Sequence, residues 1–328
     1  MRKVTTFRLK EHLGVVMEPS PRRFDSFSST WGSILHDPIH DCYYYYYSGT
    51  ADKDWSKASI GIAKSTDGIK FVRDRADPVI SLGRQSVTPA VFSEFGRYWM
   101  VFAVSSNQGR KLAIAAADTP VGPWRFVKEL IAPSDPWEAP SIDLGPSVVR
   151  SNGEHLVFYS NVPRTLGRLS TDPLSFLFGP RRIRRCIGIL KLHVSDSEVT
   201  FERWAGNPLA HLNGERGSWN ESLFCPGYVG RHGKHYLFPA TSTYSAGSPF
   251  KQYVGLIEDS SPFFQNPTSI QILINGPEER NDILPSAKTE IALDTPCPLI
   301  RENELWLYYA VMDRADRVWK TALSIFSL

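Results

Sequence analysis

Three carboxylate side chains stand out in this 328-residue chain because each lies a few residues before an apolar, strand-forming stretch. They are Asp25 in "RRFDSFSSTWGS", Asp143 in "SIDLGPSVV" and Glu221 in "WNESLFCPGYV". A protonated carboxyl group and an ionised one on opposite sides of a bond supply a general acid and a general base, as cleavage of a glycosidic bond requires. A third carboxylate nearby raises the pKa of the acid by like-charge repulsion. Glu138 and Asp294, in "PWEAPSID" and "LDTPCPLI", are further candidates.

Aromatic residues lie beside these acids: Trp31, Trp137, Trp219 and Phe224. The flat face of an aromatic ring suits the apolar C–H face of a sugar, so we expect these four side chains to bind substrate. Packing between strands explains each ring equally well. A single loop acid more often caps a turn or is solvated. Function therefore depends on elements that bring the acids together.

Those elements are short strands arranged as a repeat. Three segments have a proline before an apolar strand and a glycine seven residues later: Pro89 to Gly96, Pro146 to Gly153, and Pro226 to Gly233. Another segment begins at Pro298, and in the first segment Ser33 takes the place of the proline. Each hairpin leads into a third apolar strand, and the first four continue into a further strand. Four strands per unit, in five units, predict an all-β fold, a five-bladed β-propeller.

The propeller is predicted to close on itself. The fifth unit stops after three strands, and the N-terminal "VTTFRLKEHLGVVM" can supply its missing outer strand, which leaves no exposed sheet edge. No composition shift marks a linker, so residues 1–328 are expected to form a single five-bladed propeller domain. Loops that lead into the innermost strands gather at one end of the central channel, where Asp25, Asp143 and Glu221 would converge.

The segment "DCYYYYYSGT" supports this architecture, because it places five consecutive tyrosines at Tyr43–Tyr47. Successive side chains of a strand point to opposite faces. A strand with one face in water would expose two or three of these rings. We therefore expect this strand to lie between neighbouring blades and to be buried on both faces.

Composition narrows the possible partners and the location. A net charge of +3 is too small to indicate a nucleic-acid partner. No apolar run approaches the ~18 residues of a membrane span, and the basic N-terminus lacks a signal-peptide core, so we expect a cytoplasmic protein without a membrane partner. Four scattered cysteines show no metal-ligand spacing and are expected to be reduced. We expect no cofactor and no metal.

A long basic segment, "NVPRTLGRLSTDPLSFLFGPRRIRRC", joins the second and third strands of the third unit. Its arginines are Arg164, Arg168, Arg181, Arg182, Arg184 and Arg185. Guanidinium groups pair bidentately with carboxylates and phosphates, and we expect Arg181 and Arg182 to contact a ligand. Such a contact would favour an anionic sugar or a phosphate as the ligand. A solvated loop or a subunit contact is the alternative explanation.

The blade pattern resembles the five-bladed propeller glycosidases, namely glycoside hydrolase family 43 and its relatives in families 32, 62, 68, 117 and 130. "IGIAKSTDGIKF" and "DTPVGPWRF" are similar to their third and fourth strands. The resemblance implies that Glu221 is the acid and that Asp143 tunes its pKa. An Asp-Pro pair is expected in the first blade, where this chain has "WGS", so Asp25 is taken as the base by proximity. Family 32 places a glutamate directly before Cys-Pro, where this chain has Phe224.

The sequence therefore predicts a glycoside hydrolase that acts on an oligosaccharide or glycoside, with inversion. Inversion requires the acid and the base to lie roughly 6.5 to 9.5 Å apart, so that a water fits between them. Two alternatives stay open. One is a glycoside phosphorylase, as in family 130, in which basic residues hold phosphate. The other is a noncatalytic glycan-binding propeller, suggested by the missing acid of the first blade.

Overall fold

The computed structural model describes residues 7–73, 75–162, 184–195, 198–243, 251–276, 290–313 and 315–327. Their strands form five antiparallel sheets. Blade one contains β2 (Ser28–Asp37), β3 (Cys42–Thr50) and β4 (Ser59–Ser65). Blade two contains β5 (Ser86–Glu94), β6 (Arg97–Ser106), β7 (Gly109–Ala117) and β8 (Arg125–Glu129). Blade three contains β9 (Ser141–Ser151), β10 (Glu154–Val162), β11 (Ile187–Val194) and β12 (Val199–Arg203).

Blade four contains β13 (Ser222–Arg231), β14 (Lys234–Thr243), β15 (Lys251–Asp259) and β16 (Ser269–Ile274). Blade five contains β17 (Glu290–Arg301), β18 (Glu304–Asp313), β19 (Trp319–Ser327) and the N-terminal β1 (Arg8–Met17). The first strand of each blade contacts the first strand of the next, from β2 through β5, β9, β13 and β17 back to β2. The predicted all-β five-bladed propeller is therefore confirmed. The described residues contain no helix long and apolar enough to cross a membrane.

Ring closure also follows the prediction. β1 pairs antiparallel with β19, with Arg8 opposite Ser327 and Met17 opposite Thr321. Blade one differs from the prediction because its sheet has three strands. In place of a fourth strand, two isolated bridges join Lys64 to Val72 and Ile60 to Ile80.

The five tyrosines lie on β3, and all are buried between blades as predicted. Tyr44 and Tyr46 pack with residues of blade two, while Tyr45 and Tyr47 pack on the other face. The hydroxyl groups of Tyr45, Tyr46 and Tyr47 have hydrogen-bond partners, as burial requires. Tyr45 bonds Thr321 Oγ1 at 2.7 Å, and Tyr46 donates to the Pro120 carbonyl at 2.7 Å.

A bulge interrupts the first strand of every blade. In blade two, Thr88 and Pro89 are the unpaired residues. The corresponding second residue is Gly32 in blade one and Pro296 in blade five, so the sequence-based equivalence of Ser33 and Pro298 is wrong. The segment "TPCPLI" contains two prolines two residues apart, and only pairing with β18 shows which of them lies in the bulge.

Candidate functional site

Pairing with the second strand defines one position near the bulge of each first strand. It is the last paired residue before the bulge in blades one, two, four and five, and one residue earlier in blade three, where Leu144 also pairs, with Tyr159. We call these positions the ring positions. They hold Thr30, Val87, Asp143, Phe224 and Asp294 in blades one to five. Each pairs with a small residue of the second strand: Ser48, Ala103, Ser160, Ala240 and Ala310, respectively. Two acids thus occupy ring positions, Asp143 in blade three and Asp294 in blade five, with Phe224 of blade four between them in the ring order.

The residue after the ring position has an unusual backbone in four blades. Trp31, Thr88, Cys225 and Thr295 all have φ between 43° and 52°. L-residues rarely adopt this left-handed region, and the β-branched threonines do so least easily. Such strain persists only where the surrounding structure holds it, and it is concentrated at functional sites.

Asp143 is the most heavily contacted of the ring residues. Thr88 Oγ1 and the Leu144 backbone N–H both donate to its Oδ1 at 3.1 Å. Arg110 Nη1 lies 3.1 Å from its Oδ2, and Arg185 Nη2 lies 4.0 Å from the same oxygen. Groups from blades two and three therefore hold this carboxylate, and bonds that involve a charged group are the stronger kind.

Asp294 has a different electrostatic environment. Burial raises its pKa to about 6; the Arg185 guanidinium works against this rise, and the charge of Asp143 adds to it. Its Oδ1 accepts from the Thr295 backbone N–H at 2.6 Å, which also favours the charged form. The side chain remains partly accessible. Asp294 is therefore a carboxyl group able to exchange a proton near neutral pH, beside a second carboxylate held by arginines.

Cys225 lies close enough to Asp143, Asp294, Arg110 and Arg185 for the charges of all four to act on its thiol. Burial raises the pKa of its thiol well above the usual value, the charges of Asp294 and Asp143 raise it further, and those of Arg185 and Arg110 lower it. The thiol is fully buried and stays neutral. No group of three or more His, Cys, Asp or Glu side chains among the described residues is arranged to hold a metal ion.

Phe224, predicted as a sugar platform, is buried beneath Arg185. The guanidinium carbon lies 4.3 Å from the ring centroid, and Nε donates to the Asn161 carbonyl at 2.9 Å. The side chain of Arg185 is 13% exposed. Phe224 thus supports Arg185 at the centre of the site. Because the guanidinium covers its ring, Phe224 would not itself contact a sugar.

Asp25, predicted as the base, is fully buried. Its Oδ2 lies 2.5 Å from Arg73 Nε and accepts from the Tyr47 hydroxyl at 2.9 Å. A substrate in the channel cannot reach this carboxylate unless those side chains move. Glu138 is held the same way: it accepts from the Tyr159 hydroxyl at 2.7 Å and from Arg203 Nε at 2.8 Å.

The position of these two acids in the sequence is the same. Asp25 and Glu138 each stand five residues before a ring position, Thr30 and Asp143. Their repeated contact with a tyrosine and an arginine is a structural feature of blades one and three. In blade four Trp219 occupies that place, five residues before Phe224.

Glu221 differs from these two acids, since it stands three residues before Phe224. It is 4% exposed, and its Oε2 accepts from the Gly217 backbone N–H at 2.7 Å. The next residue, Ser222, accepts from the Arg185 backbone N–H at 3.0 Å through its hydroxyl. The segment that carries Glu221 therefore contacts the segment that carries Arg185.

The three predicted tryptophans have different surroundings. Trp31 packs with Trp55 and Trp319, at ring-centroid distances of 4.2 and 5.6 Å, next to a ring position. A Cβ atom on Gly188 would lie 2.5 Å from the Trp137 ring, and one on Gly255 would lie 2.8 Å from the Trp219 ring.

Trp137 and Trp219 thus pack on the third strands of their own blades, which favours a structural role for them. The other two predicted binding residues, Arg181 and Arg182, lie outside the described residues.

Fold and site together define a five-bladed propeller with a pair of ring carboxylates at its centre. No family model and no curated protein matches the sequence. Solved structures do match. A glycoside hydrolase aligns with a TM-score of 0.68 over 97% of this chain and 92% of that one, at 12% identity.

Two arabinanases also match. The family-43 endo-arabinanase of Bacillus licheniformis aligns with a TM-score of 0.57 over 94% and 96% of the two chains, at 15% identity. The Cellvibrio cellulosa α-L-arabinanase, complexed with arabinohexaose, aligns with a TM-score of 0.56 over 90% and 91%, at 11% identity. The predicted likeness to five-bladed propeller glycosidases is therefore confirmed at the level of the fold.

Proposed function

We propose that this protein is a glycoside hydrolase whose central carboxyl groups are Asp294, Asp143 and Glu221. The observation that carries the proposal is the pair of acids at the ring positions of blades three and five, Asp143 and Asp294, in electrically different surroundings. A buried carboxyl group with a raised pKa beside a carboxylate that is held by arginines is a usual arrangement for acid–base work. The solved structures with this fold are named as glycoside hydrolases and arabinanases, and one holds arabinohexaose, which supports a glycan as the substrate.

The roles follow from the environment of each carboxyl group. Asp294, with a pKa of about 6, is the proton donor to the leaving oxygen. Asp143, held by Arg110 and Thr88, is the charged neighbour that keeps the pKa of the donor high. Glu221 is then the second carboxyl group, which activates water for an inverting displacement. This assignment replaces Asp25, which is enclosed by Arg73 and Tyr47.

The first experiment is turnover of a panel of aryl furanosides and pyranosides, arabinofuranosides included, with and without phosphate. Asp294→Asn and Glu221→Gln are compared with wild type. Asp41→Asn is the matched control, because Asp41 is 93% exposed in a turn between β2 and β3. We expect phosphate-independent turnover that both site variants reduce by about 100-fold or more and the control leaves unchanged. Turnover that survives in Asp294→Asn on every substrate would contradict the proposal.

Leaving-group dependence separates the two roles. A dinitrophenyl glycoside needs little proton donation, so Asp294→Asn should retain far more activity on it than on a poor leaving group. Glu221→Gln should be equally slow on both, because water activation is still required. NMR of the first-formed sugar then tests inversion, since an inverting enzyme releases the opposite anomer. The reverse pattern would exchange the roles of the two residues.

Two other functions each have an observation in their favour. Arg110 and Arg185 could hold phosphate beside a single acid, which favours a phosphorylase, and turnover only in phosphate would show it. Thr30 and Phe224 stand at ring positions of blades one and four, where an acid is absent. This favours a glycan-binding propeller, for which binding without turnover, unaffected by Glu221→Gln, is expected.

A further inference from the structure

Two guanidinium groups converge on one oxygen at the centre of the propeller. Arg110 comes from β7 in blade two, and Arg185 lies just before β11 in blade three. Their nearest nitrogens lie 3.1 and 4.0 Å from Asp143 Oδ2. Because both distances end on the same atom, the two cationic groups lie side by side.

Asp143 alone does not account for both cations. Arg110 already forms a close ion pair with it, and Thr88 and the Leu144 backbone N–H supply two further donors. Arg185, at 4.0 Å, is beyond hydrogen-bond distance of that carboxylate. Burying a second guanidinium costs free energy that this distant contact does not return. Asp294 is the other carboxyl group whose charge acts on Arg185. Because its pKa is raised to about 6, it is protonated below that pH, and Arg185 then has no fully charged partner at hydrogen-bond distance among the described residues.

Arg185 is also held in place, while some of its N–H groups have no partner among the described residues. Its Nε donates to the Asn161 carbonyl, its plane covers the Phe224 ring, and its backbone N–H bonds Ser222. Its two terminal nitrogens make no hydrogen bond to any of the described residues, and the same holds for Nε and Nη2 of Arg110. A planar, pre-oriented guanidinium edge with open donors is the form that binds a carboxylate or phosphate through two bonds.

We propose that Arg110 and Arg185 form a binding site for an anionic group of the substrate, a sugar carboxylate or a phosphate, in the centre of the propeller. The inference rests on the proposed function in one respect: it takes the central channel as the place where the glycan binds. Within that function it names the substrate class, an acidic or phosphorylated glycan. The anion would lie beside Asp294, the proposed proton donor.

The experiment measures binding separately from turnover. Isothermal titration calorimetry would compare methyl glucuronide and methyl galacturonide with their neutral methyl glycosides, and would also test inorganic phosphate. The variants are wild type, Arg185→Met and Arg150→Met. Methionine keeps an unbranched apolar stem over Phe224 and removes the charge. Arg150 is 56% exposed at the far end of β9, roughly 23 Å along the strand from Asp143, and serves as the matched control.

We expect wild type to bind at least one uronide about tenfold or more tightly than its neutral counterpart, or to bind phosphate. Arg185→Met should lose about tenfold or more of that affinity, since hydrogen bonds to charged groups are the strong ones. Arg150→Met should match wild type. Uronide binding identifies a sugar carboxylate as the ligand group, and phosphate binding alone identifies phosphate.

Three results would overturn the inference. They are equal affinity for charged and neutral glycosides, no binding of any anion, and an affinity that Arg185→Met leaves unchanged while its thermal unfolding matches wild type. Failure here is distinct from failure of the proposed hydrolysis. Turnover of neutral glycosides by the wild type, together with no binding of any anion, would retain the enzyme and remove the anion site. Anion binding without any turnover would retain the anion site and remove the proposed hydrolysis.

Discussion

At the scale of single residues, burial and then the charge of Asp143 make Asp294 hold its proton more tightly, while the charge of Arg185 opposes them. Burial and this neighbouring charge together raise the pKa of Asp294 to about 6. If Asp294 must be protonated to act, kcat/KM falls as the pH rises through about 6. Asp143→Asn removes the like charge and leaves the guanidinium of Arg185 nearby, so the pKa of Asp294 falls. We therefore expect the alkaline limb of the pH–rate profile to move to lower pH in this variant.

The measurement is kcat/KM from pH 4 to 9 for wild type and Asp143→Asn, with Asp41→Asn as the control for loss of a distant carboxylate. An alkaline limb at the same pH in Asp143→Asn would show that another group donates the proton. The substrate has a poor leaving group, so that proton donation limits the rate, and the enzyme concentration is raised until the residual activity of this variant is measurable.

Asp25 provides a second test at this scale, because its burial against Arg73 predicts a stability effect and not a catalytic one. Removing one partner of a buried ion pair leaves the other charge uncompensated, which costs about 3 kcal/mol. We expect Asp25→Asn to lower the free energy of unfolding by this order, measured by urea denaturation. Activity per folded molecule should not change. Glu138 pairs with Arg203 at the equivalent place of blade three. We therefore expect Glu138→Gln also to lower the free energy of unfolding and to leave activity per folded molecule unchanged.

The opposite result for Asp25→Asn would be informative. Unfolding like that of wild type, together with lost turnover, would return Asp25 to the role of base. The local sequence could not distinguish these cases. Arg73 and Tyr47, the partners of Asp25, lie 48 and 22 residues away in the chain. An acid before a strand looks the same from sequence whether it meets a substrate or an internal arginine.

At the scale of elements, an aromatic ring packs on a glycine of the third strand in three blades. The pairs are Phe24 with Gly61, Trp137 with Gly188, and Trp219 with Gly255. Gly188→Ala would place a Cβ 2.5 Å from the Trp137 ring and 2.9 Å from the Tyr159 ring. Overpacking of this kind costs about 1–3 kcal/mol.

A double-mutant cycle tests whether the cost arises at that contact. Trp137→Phe removes ring atoms that face Gly188, so adding it to Gly188→Ala should recover part of the lost unfolding free energy. Additive losses in the double variant would show that the strain lies elsewhere in blade three.

The elements also show how far the sequence leads and where it stops. Apart from the fourth strand of blade one, the strands of the five blades, the buried tyrosines and the N-terminal closing strand are predictable, because each follows from local periodicity and turn residues. The bulge register is not, because it depends on pairing with the second strand, as Pro296 and Pro298 show. Because this register cannot be read from the sequence, the sequence indicates Asp294 only as a further candidate. Its correspondence to Asp143 becomes visible only through pairing with the second strands, where Asp294 lies opposite Ala310 and Asp143 opposite Ser160.

At the scale of the whole molecule, closure depends on one strand from the other end of the chain. β1 covers the edge of β19, and Met17 and Phe7 are buried. Deleting residues 1–17 would expose the edge of β19 and remove both apolar side chains from their clusters. We expect this variant to aggregate or to unfold without a cooperative transition, because an open edge pairs with other chains.

A circular permutant separates loss of the strand from a change in its connection. Arg8 lies opposite Ser327, so a loop of about four residues can join them as a β-hairpin, with the new N-terminus at Ser20. The permutant keeps every strand of blade five and should unfold cooperatively, with a Tm close to that of the natural chain order. A deletion variant that stays monomeric and folded would contradict the closure argument. A permutant that fails while the natural order folds would show instead that β1 must be in place before the other strands assemble.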